Sequence, residues 1–456
     1  MKQLVGKLPD YLTILLTSLL LFQLPVCGQN EGPKHLLDEA DRLAWLDNWV
    51  KAGPLYEEAA RLFGQSGDIK GTLYARIGKT YATMQSQSFP DLSRRLAVEL
   101  QNPIIQNDPR LKLRWLVTKA EIDIEIDPSA AQHGWEEIRS LALSLGDKAW
   151  EARARGKLGY IAFFQGDIYR TQELMREAFY SAESLGDLGA QIWYATVIGN
   201  GLGELGLHDQ ALKFLDEALR SAEGNKDAGF PFLAYAGKAQ SLAELKNRSE
   251  AKKMLEKGLR EAQSFNRRLE EAYYLIVLAK LSASDNNLPL AIAYLETTRN
   301  LCVDGGFHHT LAWSMFELAK IYRDSGNLQK AEERATLAMN AMRQVQDQYH
   351  LPLHLALLAE LAVKLLHDQP GDARHFVVPA MAEIDDLLRM AERPRRINRP
   401  AGMAGISSRG GVALGHGLAQ SFGTDLAREA SVAEALEPSV PSVNRHPDFN
   451  LDIGVG

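Results

Sequence analysis

Cys302, His308 and His309 bring a nucleophile and two bases close together in the chain. A cysteine and a histidine whose side chains touch can make a thiolate nucleophile. Here they flank the turn Asp304-Gly305-Gly306, with no oxyanion donors and no third orienting group nearby, so a buried, incidental cysteine is expected. The acidic run Glu121-Ile122-Asp123-Ile124-Glu125-Ile126-Asp127 gathers the carboxylates a hard cation prefers. It lacks the glycine of a calcium loop, and Asp127-Pro128 reads as a helix ending in a turn, so no metal is expected there. Gly199-Asn200-Gly201-Leu202-Gly203 imitates a phosphate loop, but it lies inside a helical pattern with no strand ahead of it. The reading finds no nucleophile elbow and no pair of histidines at metal spacing on a helix. It therefore expects no enzyme, no cofactor and no metal.

The elements that must position any site form a repeat. Small residues return every forty positions at Ala131, Thr171, Ala211, Ala251, Ala291 and Ala331. A second column holds Ala178, Ala218, Gly258, Thr298 and Ala338, and a third holds Gly159, Gly199, Ala239, Ala279 and Ala319. A fixed period of this kind marks a solenoid. The turns repeat too, as Gln165-Gly166-Asp167, Leu205-Gly206-Leu207, Leu245-Lys246-Asn247, Asp285-Asn286-Asn287 and Ser325-Gly326-Asn327. Glycine and asparagine adopt the left-handed angles that close a helix. Between turns, Ala211, Leu212, Leu215, Ala218, Leu219 and Ala222 recur at helical spacing and predict one buried stripe. Each period is thus a hairpin of two helices. The small columns are where neighbouring axes approach to about 8 to 10 Å.

Leu158-Gly159 with Thr171, Met175 and Ala178 resembles the tetratricopeptide repeat. So do Ile198-Gly199 with Ala211, Leu215 and Ala218, and Leu318-Ala319 with Ala331, Ala335 and Ala338. The departures are a longer period and the loss of the proline that closes each unit; the added residues lengthen the helices by nearly two turns at about 3.6 residues per turn. The resemblance implies an all-α fold, a right-handed α-solenoid of antiparallel helix hairpins. It also implies that the first helix of each unit lines a concave face, with the second, ninth and twelfth positions pointing into the groove. Those positions are Trp193, Tyr273 and Trp313 at the second, with Leu233 between them. Asn200, Gln240, Lys280 and Lys320 stand at the ninth, and Arg323 at the twelfth. Amides and ammonium groups hydrogen-bond an extended peptide, and flat aromatics give contact area at low entropic cost. Against this, aromatics at helical spacing also pack between helices. Segments Leu37-Asp38-Glu39-Ala40-Asp41-Arg42-Leu43-Ala44-Trp45 and Asp227-Ala228-Gly229-Phe230-Pro231-Phe232 resemble bacterial repeat regions joined to a caspase-like CHAT protease domain. That protease's own Cys and His belong to a domain outside this resemblance, so its activity is not carried over.

Lys2 and Lys7 precede the apolar run 11–22, and Pro25-Val26-Cys27-Gly28 follows it. The run is shorter than the roughly twenty residues a bilayer crossing requires, so it reads as a signal peptide. Cleavage after Gly28 is the expectation; a lipobox ending at Cys27 and an uncleaved anchor are the alternatives, and all three are export. The predicted divisions are 1–28 signal peptide, 29–392 solenoid of about nine repeats with an irregular second unit around Phe89-Pro90-Asp91, and 393–456 tail. The tail holds nine glycines, five prolines and seven arginines without helical apolar spacing. It is expected to be disordered, either as a native extension or as a misread or truncated end. The net charge of -7 without a basic stripe argues against nucleic acid. Loss of residues 1–28 would leave Cys302 as the one cysteine. The sequence thus predicts an exported, non-catalytic scaffold for a protein or peptide, with membrane contact only through an uncleaved or lipidated N-terminus. The alternative is the sensor half of a larger multidomain protein.

Overall fold

The computed structural model describes residues 32–368, which form eighteen α-helices without a strand. Helices α1 (Pro33–Trp45) and α2 (Trp49–Ser66) make the first hairpin. The second is broken into α3 (Ile69–Thr83), a 3-10 turn at Met84–Ser86, α4 (Phe89–Glu99) and the short α5 (Pro103–Gln106). Then come α6 (Pro109–Ile126) with α7 (Pro128–Leu145), α8 (Lys148–Phe164) with α9 (Ile168–Leu185), and α10 (Leu188–Glu204) with α11 (His208–Glu223). Next are α12 (Phe232–Glu244) with α13 (Arg248–Ser264), α14 (Arg268–Ser284) with α15 (Leu288–Gly305), and α16 (His308–Asp324) with α17 (Leu328–Val345). Helix α18 (Leu351–Asp368) opens a ninth unit. The expected signal peptide, the last stretch of the predicted solenoid (369–392) and the tail lie outside the described residues. Among the described residues no helix is long and apolar enough to cross a membrane.

The turns carry two signals in two adjacent residues. At Gly146-Asp147, Gly166-Asp167 and Gly186-Asp187 the glycine takes positive φ and ends one helix. The aspartate side chain then accepts a backbone N–H of the next, from Trp150, Arg170 and Ala190 respectively. Such a cap satisfies a donor that a helix start leaves unpaired. In Leu245-Lys246-Asn247 it is Lys246, and not the asparagine, that takes the left-handed angle (φ 68°). Helix α12 starts late because Pro231 cannot continue a hydrogen-bonded turn and Gly229 donates its N–H to the Leu46 carbonyl at 2.9 Å.

The small columns are the helix contacts. Ala131, Ala211, Ala251, Ala291 and Ala331 are fully buried, as are Ala178, Ala218, Ala239, Ala279, Ala319 and Ala338. Thr171 departs, standing half-buried with its hydroxyl on the Asp167 carbonyl. Gly258 replaces alanine in its column for a visible reason: a Cβ there would lie 2.1 Å from the Tyr274 ring. That ring is locked by burial and by donation from its hydroxyl to the Phe232 carbonyl at 2.7 Å. Tyr194 repeats the device two helix pairs earlier, bonding the Ala152 carbonyl and crowding Gly156.

Successive turns of the superhelix touch. Asn48 Nδ2 donates to the Asp227 carbonyl, Gln85 Oε1 accepts the Leu269 N–H, and Glu125 accepts the Thr310 N–H and hydroxyl. Further on, the Phe164 carbonyl accepts the N–H groups of Gln348 and Tyr349. The first three contacts join residues 179, 184 and 185 apart, so one superhelical turn takes about 4.6 periods of forty. The irregular second unit joins this seam: Phe89 is buried edge-on against Phe307, ring centroids 4.8 Å apart.

Candidate functional site

All eight residues assigned to the groove are half-buried. The structure brings some of them together. Tyr273 meets Trp313 edge-on at 5.5 Å, and Lys280 Nζ stands 5.9 Å from the Trp313 ring centre. Lys320 donates to the carboxylate of the buried Glu317 at 2.8 Å. Burial pushes the Glu317 carboxyl upward, but Lys280, Lys320 and a hydrogen bond from Trp313 outweigh it and hold the group ionised below its ordinary value. These residues thus form one aromatic and charged cluster on α14 and α16. Trp193 belongs to a second cluster, packed against Tyr160 at 5.8 Å with Lys157 Nζ 4.2 Å from its ring centre. Lys157 also donates to Glu121 at 2.8 Å.

The remaining predicted residues stand apart from both. Gln240 reaches Glu204 on α10, and Arg323 pairs with Glu360 at 2.7 Å and with Asp324 at 2.8 Å, so its charge is already answered within the chain. Asn200 keeps a buried side-chain oxygen without a hydrogen-bond partner, as do Glu121 Oε2 and His354 Nδ1.

Tyr160 and Tyr273 link the two clusters across the superhelix, their hydroxyls adjacent to each other and to Glu125. Burial raises both phenols, and burial also raises the Glu125 carboxyl. Tyr160 occupies the ninth position of the unit that contains Leu158-Gly159, so extending that column back by one period finds it. Lys157 and Glu317 share the sixth position, outside the three that the repeat pattern singles out.

The acidic run scatters its charge. Glu121 goes to Lys157, Asp123 to Ser93 and Lys119, Glu125 to Thr310, and Asp127 caps α7 through the Ala130 N–H. Cys302 is fully buried, and burial first, then Glu125, raise its thiol well above the ordinary range, which suppresses the thiolate. His309 does have an orienting group: its Nε2 lies 3.0 Å from Asp347 Oδ2, thirty-eight residues on. The same oxygen lies 2.6 Å from His350 Nδ1. Burial works against the Asp347 carboxylate, but hydrogen bonds from both histidines outweigh it and hold the group far below its usual range. His350 and His354 stand four apart, but His350 lies in the turn just before α18 and only His354 is on the helix.

Stacked hairpins with small-residue contacts at a period of forty define a helical-repeat solenoid of the tetratricopeptide type. The family model described as "Tetratricopeptide repeat" matches residues 274–344. Among solved structures, the chain is similar to a Rap protein crystallised with Competence and Sporulation Factor, at 13% identity and a TM-score of 0.55, over 79% of this chain and 99% of that one. A signal transduction ATPase with numerous domains and a tetratricopeptide repeat sensor, from Pyrococcus horikoshii, matches at 16% identity and a TM-score of 0.38, over 84% of this chain and 52% of that one. Yeast Tom70 matches at 13% identity and a TM-score of 0.37, over 89% of this chain and 99% of that one. No curated protein matches in sequence. The family match over residues 274–344 and the fold shared with the Rap protein agree on helical repeats of the tetratricopeptide type.

Proposed function

We propose that the protein is an exported, non-catalytic scaffold whose inner surface holds a peptide or an extended segment of a partner protein. The observation that carries this reading is the half-buried strip of Trp193, Tyr273 and Trp313 beside Lys157, Lys280 and Lys320, on helices that are first in their hairpins. Aromatic rings in such a strip give a bound chain apolar contact at low entropic cost. The Rap protein of like fold was crystallised with a bound factor, which supports the analogy.

The finer resemblance, to repeat regions joined to a CHAT protease domain, would make the chain the sensor half of a larger protein. Its two segments meet in space: Arg42 pairs with Asp227 at 3.0 Å, and Gly229 bonds to Leu46. They therefore form one structural joint within the chain.

The test replaces Trp193 and Trp313 singly by alanine and measures thermal melting together with partner capture from an extracytoplasmic extract, followed by mass spectrometry. Affinity for a captured partner is expected to fall about tenfold or more for each change, with melting little altered. Unchanged capture, or a large drop in melting temperature, assigns these rings to the core instead.

A further inference from the structure

We propose that His309 Nε2, Asp347 Oδ2 and His350 Nδ1 form a binding site for one divalent transition-metal ion of the zinc type. This goes beyond the inner-face reading and does not depend on it. The three ligand atoms lie within 4.8 Å of one another. The carboxylate oxygen is 3.0 Å from one imidazole nitrogen and 2.6 Å from the other. Zinc takes imidazole and carboxylate ligands at about 2.0 to 2.2 Å, so ligand atoms around it stand roughly 3 to 3.5 Å apart. Two edges of the triangle are already near that length, and the third needs to close by about 1 Å.

The surroundings fix the ligands before any ion arrives. Asp347 has no solvent exposure, and its second oxygen accepts the His350 N–H at 2.9 Å, which sets the carboxylate's orientation. The loop that carries it is bonded through Gln348 and Tyr349 to the Phe164 carbonyl on α8. The His309 ring packs against the Phe164 ring at 4.5 Å. A second, independent observation points to a ligand: His354, four residues beyond His350, is 4% exposed, and its Nδ1 has no hydrogen-bond partner. Its ring stacks on Phe316 at 4.4 Å, close enough to sense the charges of Asp347, His309 and His350. Two imidazoles and one carboxylate suit borderline cations, zinc foremost, and not calcium or magnesium, which prefer all-oxygen shells. Three protein ligands leave a coordination position for water. The ion would tie α16 to the loop before α18, which is itself bonded to the preceding superhelical turn.

The experiment uses tag-free full-length protein stripped with a chelator and dialysed. Zinc affinity is measured by competition with a chromogenic chelator for the wild type, His309→Gln, His350→Gln and the control His133→Gln, whose ring is exposed on α7 and bonded to the Ser129 carbonyl. Binding of one zinc per chain, weakened about tenfold or more by each of the first two changes and untouched by the third, supports the site. In case a variant fails to fold, cobalt is titrated into the wild type, where d–d absorption bands saturating at one equivalent are expected. Absence of zinc competition and of cobalt bands overturns the proposal and leaves Asp347 as a hydrogen-bonded pin. Equal zinc binding by the wild type and folded His309→Gln and His350→Gln variants overturns it as well.

Discussion

The joints inside the hairpin stack and the seam between its coils are held by different chemistry. Inside the stack, contact after contact is an alanine or glycine against an apolar side chain, as at Ala211, Ala251 and Ala291, each fully buried. Along the seam, the contacts are irregular and mix polar with aromatic groups: an amide on a carbonyl at Asn48, a carboxylate on a threonine at Glu125, a carbonyl shared by two N–H groups at Phe164, and rings in contact, Phe89 with Phe307 and Phe163 with Tyr349. Close-packed apolar joints tolerate almost no change of volume. Hydrogen bonds between otherwise solvated groups contribute only about 0.5 to 1.5 kcal/mol net each. The stack therefore determines that a solenoid forms, and the seam determines how tightly it winds.

Three measurements press on that difference. The largest effect is expected from Phe89→Ala, which removes one of the apolar contacts of the seam and is predicted to cost about 3 kcal/mol in chemical denaturation. Helix content by circular dichroism should stay near the wild-type value while small-angle scattering shows a larger radius of gyration. Loss of helix in step with the expansion would mean that seam and stack are one cooperative unit. Next, Gly258→Ala adds one methyl inside the stack against the locked Tyr274 ring and is predicted to cost about 2 kcal/mol without changing the overall dimensions. A neutral result would show that the ring moves freely. The smallest effect belongs to Glu125→Gln. Burial raises this carboxyl above its ordinary 4.5, and Thr310, His309, Tyr160, Tyr273 and Glu270 surround it. The folded state then holds its proton more tightly than the unfolded chain does, so stability declines as pH rises from that ordinary value through the raised one. The variant should melt about 2 °C higher near pH 7 and no differently near pH 4, where both forms are neutral. A gain that persists at low pH would point to packing and not to charge.

Most of the stack was legible because its signal is periodic. The forty-residue columns named the buried alanines, and the Gly-containing turns named the helix ends, with Lys246 the exception because nothing in its type favours a left-handed angle. The register positions reached the two aromatic clusters only in part: Tyr160 lay one period before the column began, and Lys157 and Glu317 lay outside the chosen positions. The seam left no trace, because Gln85 and Leu269 or Glu125 and Thr310 share no pattern and stand well over a hundred residues apart. Asp347 was hidden for the same reason, being a full helix pair away from His309. The His350 and His354 spacing was in plain sight but straddles a helix start beside Pro352, where helical periodicity is not the natural template.

Open arrays of repeats gain or lose members with little penalty, since each touches only its neighbours. A coil whose rungs meet again after about 4.6 members has a counting constraint that such arrays escape. Duplicating or deleting one hairpin between Glu125 and Thr310 would keep every local joint intact, yet would slide each cross-coil partner forty places out of phase. Length variation in this protein's descendants should therefore fall in the loops, while the tally of hairpins between matched rungs stays constant.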